Sequence, residues 1–137
     1  KKDVVPIKAE ITYLENYIDL HKIRYHKSVT IQFGHEIEEG DTIAPLLFII
    51  LLENALKHGV ESLMKDAYVK MNLRSNTNEV HFNIENNFEA PEVSAEKGIG
   101  LENLKHRLSL IYPKRHELKI AVIGNVYSVN MKIKKHD

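Results

Sequence analysis

Apolar residues return at helical steps in some stretches of the chain and in strict alternation in others, and the switches between the two periods outline a fold. From Pro6 to about His26, Ile7, Ile11, Leu14, Ile18 and Tyr25 recur at steps of three, four and seven, the face of an amphipathic helix with Pro6 in its first turn. Val29, Ile31 and Phe33 then alternate with Thr30 and Gln32, which predicts a half-buried strand leading into a polar turn from Gly34 to Asp41. A second helix is expected to begin near Thr42, with Pro45 in its first turn, and to stop at Gly59 in the position of a C-cap. Ala67, Val69, Met71 and Leu73, followed by Val80, Phe82 and Ile84, predict a hairpin turning through Ser75 to Asn78. The stretch from Asn86 to Lys97 has no period and contains Pro91, so a long loop is expected. A third helix from about Leu101 to Tyr112 would bury Leu101, Leu104, Leu108 and Ile111 before Pro113 closes it. Two last strands, carrying Leu118, Ile120, Val122 and then Tyr127, Val129, Met131, Ile133, flank a Gly124, Asn125 turn. Three helices and about five strands, with the later strands paired as hairpins, predict an α/β two-layer sandwich: a mixed sheet with the helices on one face.

Composition narrows the function classes. The 137 residues suffice for one domain, and 43% apolar with 28% charged residues is the balance of a folded protein. Nineteen basic residues against nineteen acidic give no net charge, which argues against nucleic acid as a partner and against broad attraction to anionic membrane. With no cysteine there is neither a disulfide framework nor a thiolate metal site, and an intracellular location is the simple reading. The longest apolar run, Ile43 to Leu52, falls well short of the roughly 20 residues of a spanning helix. Because the chain opens on Lys1 without a signal segment, it is expected to be a piece of a longer protein.

Two segments depart from a plain core pattern. In the second helix Glu53 faces Lys57 and Asn54 faces His58 at i, i+4, gathering four polar heads at the end of an apolar helix. An amide or carboxylate oxygen there suits Mg, which commonly takes one or two protein ligands together with substrate phosphates, and Lys57 and His58 suit the phosphates themselves. A solvated helix end with a Glu53 to Lys57 pair is the bland alternative. The second segment, Gly98, Ile99, Gly100, Leu101, runs directly into a helix, where glycines admit a ligand close to the backbone and the helix N-terminus favours anions. A loop ending in a helix start is the alternative there. The eight histidines show no zinc spacing, and the carboxylates of Glu36, Glu38, Glu39 and Asp41 and the lysines Lys132, Lys134 and Lys135 read as solvated groups.

Taken together, LLENALKHG, the polar loop and GIGLENLKHRL resemble the catalytic ATP-binding domain of bacterial sensor histidine kinases, and more narrowly its LytS-like subfamily. The first motif resembles the N-box and the second the glycine box; EITYLENYIDLHKIRY, within residues 1–27, is similar to that subfamily's lead-in helix, and the resemblance covers essentially the whole chain. It implies the Bergerat fold of the GHKL superfamily, shared with gyrase-type ATPases, with ATP and Mg as cofactors. Carried over, Asn54 would hold Mg and Glu53 would be catalytic, orienting the attacking group. Lys57, His58, Asn86, Gly98, Ile99, Gly100 and Leu101 would bind ATP beneath a lid spanning Asn87 to Lys97. The γ-phosphoryl group would pass to a histidine in a dimerisation segment upstream of this chain and on to a response regulator, suspected to be of the LytTR type. The full-length protein would be a homodimer, anchored in the membrane through upstream regions, with this domain cytoplasmic.

One position departs from the family pattern. Aligning Val80, Phe82 and Ile84 sets Asn86 where the adenine-reading aspartate is expected, and the glycine of that box is missing. An asparagine oxygen still accepts from the adenine amino group, and its amide, if it turns to donate, would raise GTP relative to ATP. Two further readings stand beside the kinase: a degenerate docking or dimerisation module without nucleotide, and an ATP-driven switch on the same fold.

Overall fold

The computed structural model describes residues 3–24, 29–63, 65–89 and 98–136. In chain order the elements are β1 (Val5–Pro6), α1 (Ile7–Arg24), β2 (Val29–Glu36), β3 (Thr42–Ile43), α2 (Leu47–His58), a single 3-10 turn (Val60–Ser62), β4 (Ala67–Ser75), β5 (Glu79–Asn87), α3 (Gly98–Ile111), β6 (His116–Ile123) and β7 (Val126–Lys134). Five strands form one mixed sheet in the order β2-β4-β5-β7-β6, with β2 parallel to β4 and every other pairing antiparallel. β1 and β3 make a separate two-stranded ladder.

The alternation along the strands becomes a single buried face. Ala67, Val69, Met71 and Leu73 of β4, Val80, Phe82 and Ile84 of β5, and Val129, Met131 and Ile133 of β7 are all buried. Against them lies α2, whose Leu47, Phe48, Ile49, Leu51, Leu52, Ala55 and Leu56 are buried, with Phe48 and Phe82 ring centroids 4.9 Å apart. A helix apolar nearly all round must be covered on both sides. The outer cover comes from α1, through Ile7, Ile11, Leu14 and Ile18, and from α3, through Leu101, Leu104 and Leu108. Ile111 is only half-buried. The β4–β5 turn is held by Asn76, whose Oδ1 accepts the backbone N–H groups of Asn78 (2.8 Å) and Glu79 (3.0 Å). Gly124 supplies the positive φ of 61° that the β6–β7 turn requires.

Several expectations are corrected. Pro6 ends β1 and does not enter the helix, whose tail beyond Arg24 lies outside the described residues. The second helix begins at Leu47, because Thr42 and Ile43 pair with Pro6 and Val5, and the chain then turns through Leu46 in the left-handed region at φ 64°. The third helix begins at Gly98, three residues early, so the two glycines occupy its first turn. Asp41 and Lys135 are not solvated: each is largely buried and they pair at 2.7 Å. Ile120 and Val122 do share the core face, yet β6 is an edge strand and they stay 39% and 50% exposed. Among the described residues, no helix is long and apolar enough to cross a membrane.

Candidate functional site

The last two turns of α2 carry polar residues on two sides. Glu53 and Lys57 are exposed, and among the described residues they form no ion pair with one another, so both heads are available to a ligand. Asn54 lies on the inner side at only 9% exposed, and His58 is half-buried. Placing Lys57 and His58 in the last turn offsets the partial negative charge of the helix C-terminus, the end that also favours a nearby cation.

Gly59 sets how closely this end approaches the sheet. Its φ of −100° is open to any residue, so the conformation does not demand glycine. The surroundings do. A Cβ at this position would lie 2.3 Å from Asn86 Nδ2, 2.7 Å from the Ala55 carbonyl oxygen and 2.7 Å from the Asn87 carbonyl oxygen. The end of α2 thus rests directly on the end of β5, where Asn86 occupies a core-facing position and is 1% exposed. Asn86 Nδ2 donates to the Asn87 carbonyl at 2.9 Å, which assigns the amide and leaves Oδ1 as its acceptor end. The side chain of Asn87 is engaged elsewhere: its Oδ1 accepts the Tyr68 N–H and its Nδ2 donates to the Asp66 carbonyl, each at 2.9 Å.

Tyr127 is the register partner of Asn86 across β5 and β7, and it is 3% exposed. Burial pushes the phenol pKa up, and the Asn54 side chain lowers it part of the way back. Among the described residues, no group meets the Tyr127 hydroxyl at hydrogen-bond geometry. Asn54 carries an amide oxygen on the inner side of this helix end. That amide oxygen is a hard ligand of the kind Mg takes alongside phosphate oxygens, so the residues present fit the ion. Tyr127, expected among the core strand residues, is buried there on β7.

The glycine box supplies the opposite wall. The N–H groups of the first turn of α3, Gly98 to Leu101, have no partner inside the helix and form an anion-facing end. Among the described residues, nothing outside the local backbone lies within 4 Å of where a Gly100 Cβ would stand. Leu101 offers a ligand only its backbone, because its side chain is 3% exposed in the core. Of the expected lid, residues 90–97 lie outside the described residues; Phe88, at its near end, is anchored in the core. Among the described residues no three His, Asp or Glu side chains gather as a metal cage. A cavity of about 780 Å³ lined by Ile11, Glu15, His35 and Ile37 lies elsewhere and includes none of the candidate residues.

No protein-family model matches the chain. It is 25% identical over 122 residues to the sensor protein LytS of Enterococcus faecalis, covering 79% of this chain and 21% of that protein. It is 24% identical over 126 residues to the sensor histidine kinase YesM of Bacillus subtilis (88% and 22%), and 27% identical over 119 residues to the sensor histidine kinase YpdA of Escherichia coli (79% and 21%). The chain therefore spans about a fifth of the length of these relatives. In architecture it is similar to the catalytic domain of histidine kinase ThkA, with a TM-score of 0.62 at 14% identity over 98% of this chain and 96% of that one. The histidine kinase domain of the blue-light activated kinase EL346 from Erythrobacter litoralis gives a TM-score of 0.67 at 16% identity, over 94% and 61%. Sensor histidine kinases of the LytS kind are thus the homologues of this chain, and the histidine kinase catalytic domain is its fold.

Proposed function

We propose that this chain is the ATP-binding catalytic domain of a sensor histidine kinase, which transfers the γ-phosphoryl group of ATP to a histidine carried elsewhere in the full-length protein. The observation that carries this reading is the seating of Gly59, which ends the helix bearing Asn54, directly against Asn86 at the end of β5, with both asparagines buried. Bound MgATP would supply the transferable group with its charge partly neutralised. Asn54 holds the metal through Oδ1. Lys57 and His58 face the phosphate side, Asn86 reads the base through its acceptor oxygen, and the first turn of α3, from Gly98 through Ile99 and Gly100 to Leu101, cradles phosphate oxygens through backbone N–H groups. Glu53, exposed and unpaired with Lys57, orients the incoming imidazole, a role that matters chiefly in the transition state.

The partners follow from the same reading. ThkA has been crystallised in complex with the response regulator TrrA, and a response regulator is the receiver we propose here, of the LytTR type given the LytS kinship. The full-length protein is proposed to be a homodimer anchored in the membrane outside this domain. A docking module without nucleotide is less well supported, since Asn86 keeps an acceptor in place of the expected aspartate.

Calorimetric titration of the chain with a non-hydrolysable ATP analogue and Mg tests the reading. Binding is expected in the wild type and lost in Asn54→Ala, with the melting temperature retained. In the full-length kinase Glu53→Ala should lower turnover while binding persists. Silence in the wild-type titration would overturn the nucleotide reading.

A further inference from the structure

We propose that the outer edge of β2 receives an extended, basic segment of a partner protein, which adds a strand to the sheet and places an apolar side chain in the cavity between β2 and α1. The site stands apart from the nucleotide reading and does not depend on it. β2 is a terminal strand of the sheet, and among the described residues no strand lies on its far side. An edge presents a row of backbone N–H and C=O groups for pairing, and folded proteins usually blunt it with lysine, proline or a bulge. β2 has none of these. Its residues, VTIQFGHE, include neither lysine nor proline, and its register with β4 runs unbroken from Val29 to Glu36. The opposite edge, β6, carries Lys119.

Beside this edge lies the cavity of about 780 Å³, walled by Ile11, Thr12 and Glu15 of α1 on one side and by His35 and Ile37 on the other. Ile11 is 6% exposed and Ile37 half-buried, so the cavity offers apolar surface. His35 Nε2 stands 3.6 Å from Glu15, which ties the strand wall to the helix wall. Ile31 and Phe33 alternate with exposed Thr30, Gln32 and Gly34 and share a face with His35, yet both stay half-buried. A strand added to the edge turns alternate side chains to that same face. Backbone hydrogen bonds then give affinity, and the cavity gives specificity. Charge selects the segment. Glu15 and Glu39 line the cavity and Glu36 ends the strand, all three exposed, whereas Lys8 is the one lysine or arginine in the lining. That rim favours arginine or lysine on the incoming segment and opposes acidic residues.

The test uses the chain and a capped, fluorescein-labelled peptide that alternates threonine and valine and ends in two arginines. Fluorescence anisotropy should show saturable binding, with amide NMR shifts concentrated in β2 and the facing side of α1. N-methylation of alternate peptide amides, made in both phases, blocks strand pairing in one phase and should there weaken binding roughly tenfold or more. Glutamates in place of the arginines should weaken it on a similar scale. In the chain, Glu15→Lys combined with Glu39→Lys should weaken the parent peptide roughly three- to thirtyfold at low salt, with the melting temperature retained. Glutamine at both positions should give a smaller loss in the same direction. Absence of binding at millimolar peptide overturns the proposal. So does binding that both N-methylated peptides leave unchanged, or shifts centred away from β2, because either removes strand addition. Equal affinity for the arginine and glutamate peptides overturns the basic partner. Sedimentation should find the chain alone monomeric; a dimer with its amide shifts on β2 would give the edge to a second copy and overturn a separate partner.

Discussion

The carboxylate of Glu10 accepts the backbone N–H of Leu46 at 3.1 Å, joining the lead-in helix to the residue that starts the N-box helix in a left-handed conformation. Arg107 of α3 completes the junction by donating to the Pro45 carbonyl at 3.0 Å. All three helices therefore meet at the N-terminal end of α2, opposite the end that carries Asn54. Glu10 is only 7% exposed, and burial is the main force pushing its pKa above the ordinary value, with Leu46 and Arg107 pulling the other way. A carboxyl group whose pKa is higher in the folded state favours folding below the unfolded value of 4.5, and that contribution fades as pH rises through the folded value.

Glu10→Gln keeps an oxygen for the Leu46 N–H and removes the desolvated charge. It should melt above the wild type at pH 7, with the advantage shrinking toward pH 4. Glu10→Ala leaves the N–H without a partner and should cost about 1–3 kcal/mol. Urea denaturation across this pH range separates the two, and a Gln variant less stable than wild type at pH 7 would show that the charge itself is needed.

Gly59→Ala pits two effects against each other. Restricting the unfolded chain favours alanine by about 0.4–1 kcal/mol. Overpacking against two carbonyl oxygens and Asn86 Nδ2 costs about 1–3 kcal/mol, and two of the three contacts are backbone that cannot swing aside. Overpacking should win. The variant is expected to lose stability and, because Asn86 moves first, nucleotide affinity as well. An alanine variant as stable as the wild type with unchanged affinity would mean that α2 does not rest on β5 as closely as the contacts require.

On the open face of the sheet the Tyr68 hydroxyl donates to Glu85 Oε2 at 2.7 Å. Burial first, and then the Glu85 carboxylate, push the phenol pKa from 10.0 to about 12. The native state holds this proton more tightly than the unfolded chain does, so the pair stabilises fully below pH 10 and its contribution is lost as pH rises through about 12. The stability difference between the wild type and Tyr68→Phe should accordingly narrow across that interval. A constant difference from neutral pH to pH 12 would place the effect of Tyr68 in packing.

Much of this was legible in the chain because period reports which face a residue takes. The three helices, the five sheet strands and both polar motifs follow from it. What it could not report is what lies across from a residue. Thr42 and Ile43 belong to a strand only because Val5 and Pro6 come to meet them, and Asp41 and Lys135 pair only once β7 is placed. Alternation gave Ile120 and Val122 the correct face, but not that an edge strand leaves them uncovered. Gly98 and Gly100 lower helix propensity, which hid the true start of α3. At the site, Asn54 stood out in a polar cluster at the end of an apolar helix and Asn86 as the residue standing where the family's aspartate is expected, whereas the seating of Gly59 against Asn86 shows only once α2 and β5 are placed.

Base selectivity is where the structure revises the expectation most. A freely turning Asn86 amide would admit guanine, whose carbonyl stands where adenine has an amino group. The amide is not free: its Nδ2 donates to the Asn87 carbonyl at 2.9 Å, and turning it would set Oδ1 against that carbonyl oxygen beside the tightly packed Gly59. Breaking that bond and burying two facing acceptors costs about 1–3 kcal/mol, more than the roughly 0.5–1.5 kcal/mol one neutral bond to guanine would return. ATP should therefore bind several-fold to about a hundredfold more tightly than GTP. Asn86→Ala should weaken ATP by roughly two- to tenfold and narrow the preference, since it removes both the acceptor and the clash. Competition of ATP and GTP for a fluorescent nucleotide on the wild type and the variant measures both effects. Equal affinities for the two nucleotides in the wild type would show that the amide turns after all, and unchanged ATP affinity in the variant would assign the base to another group.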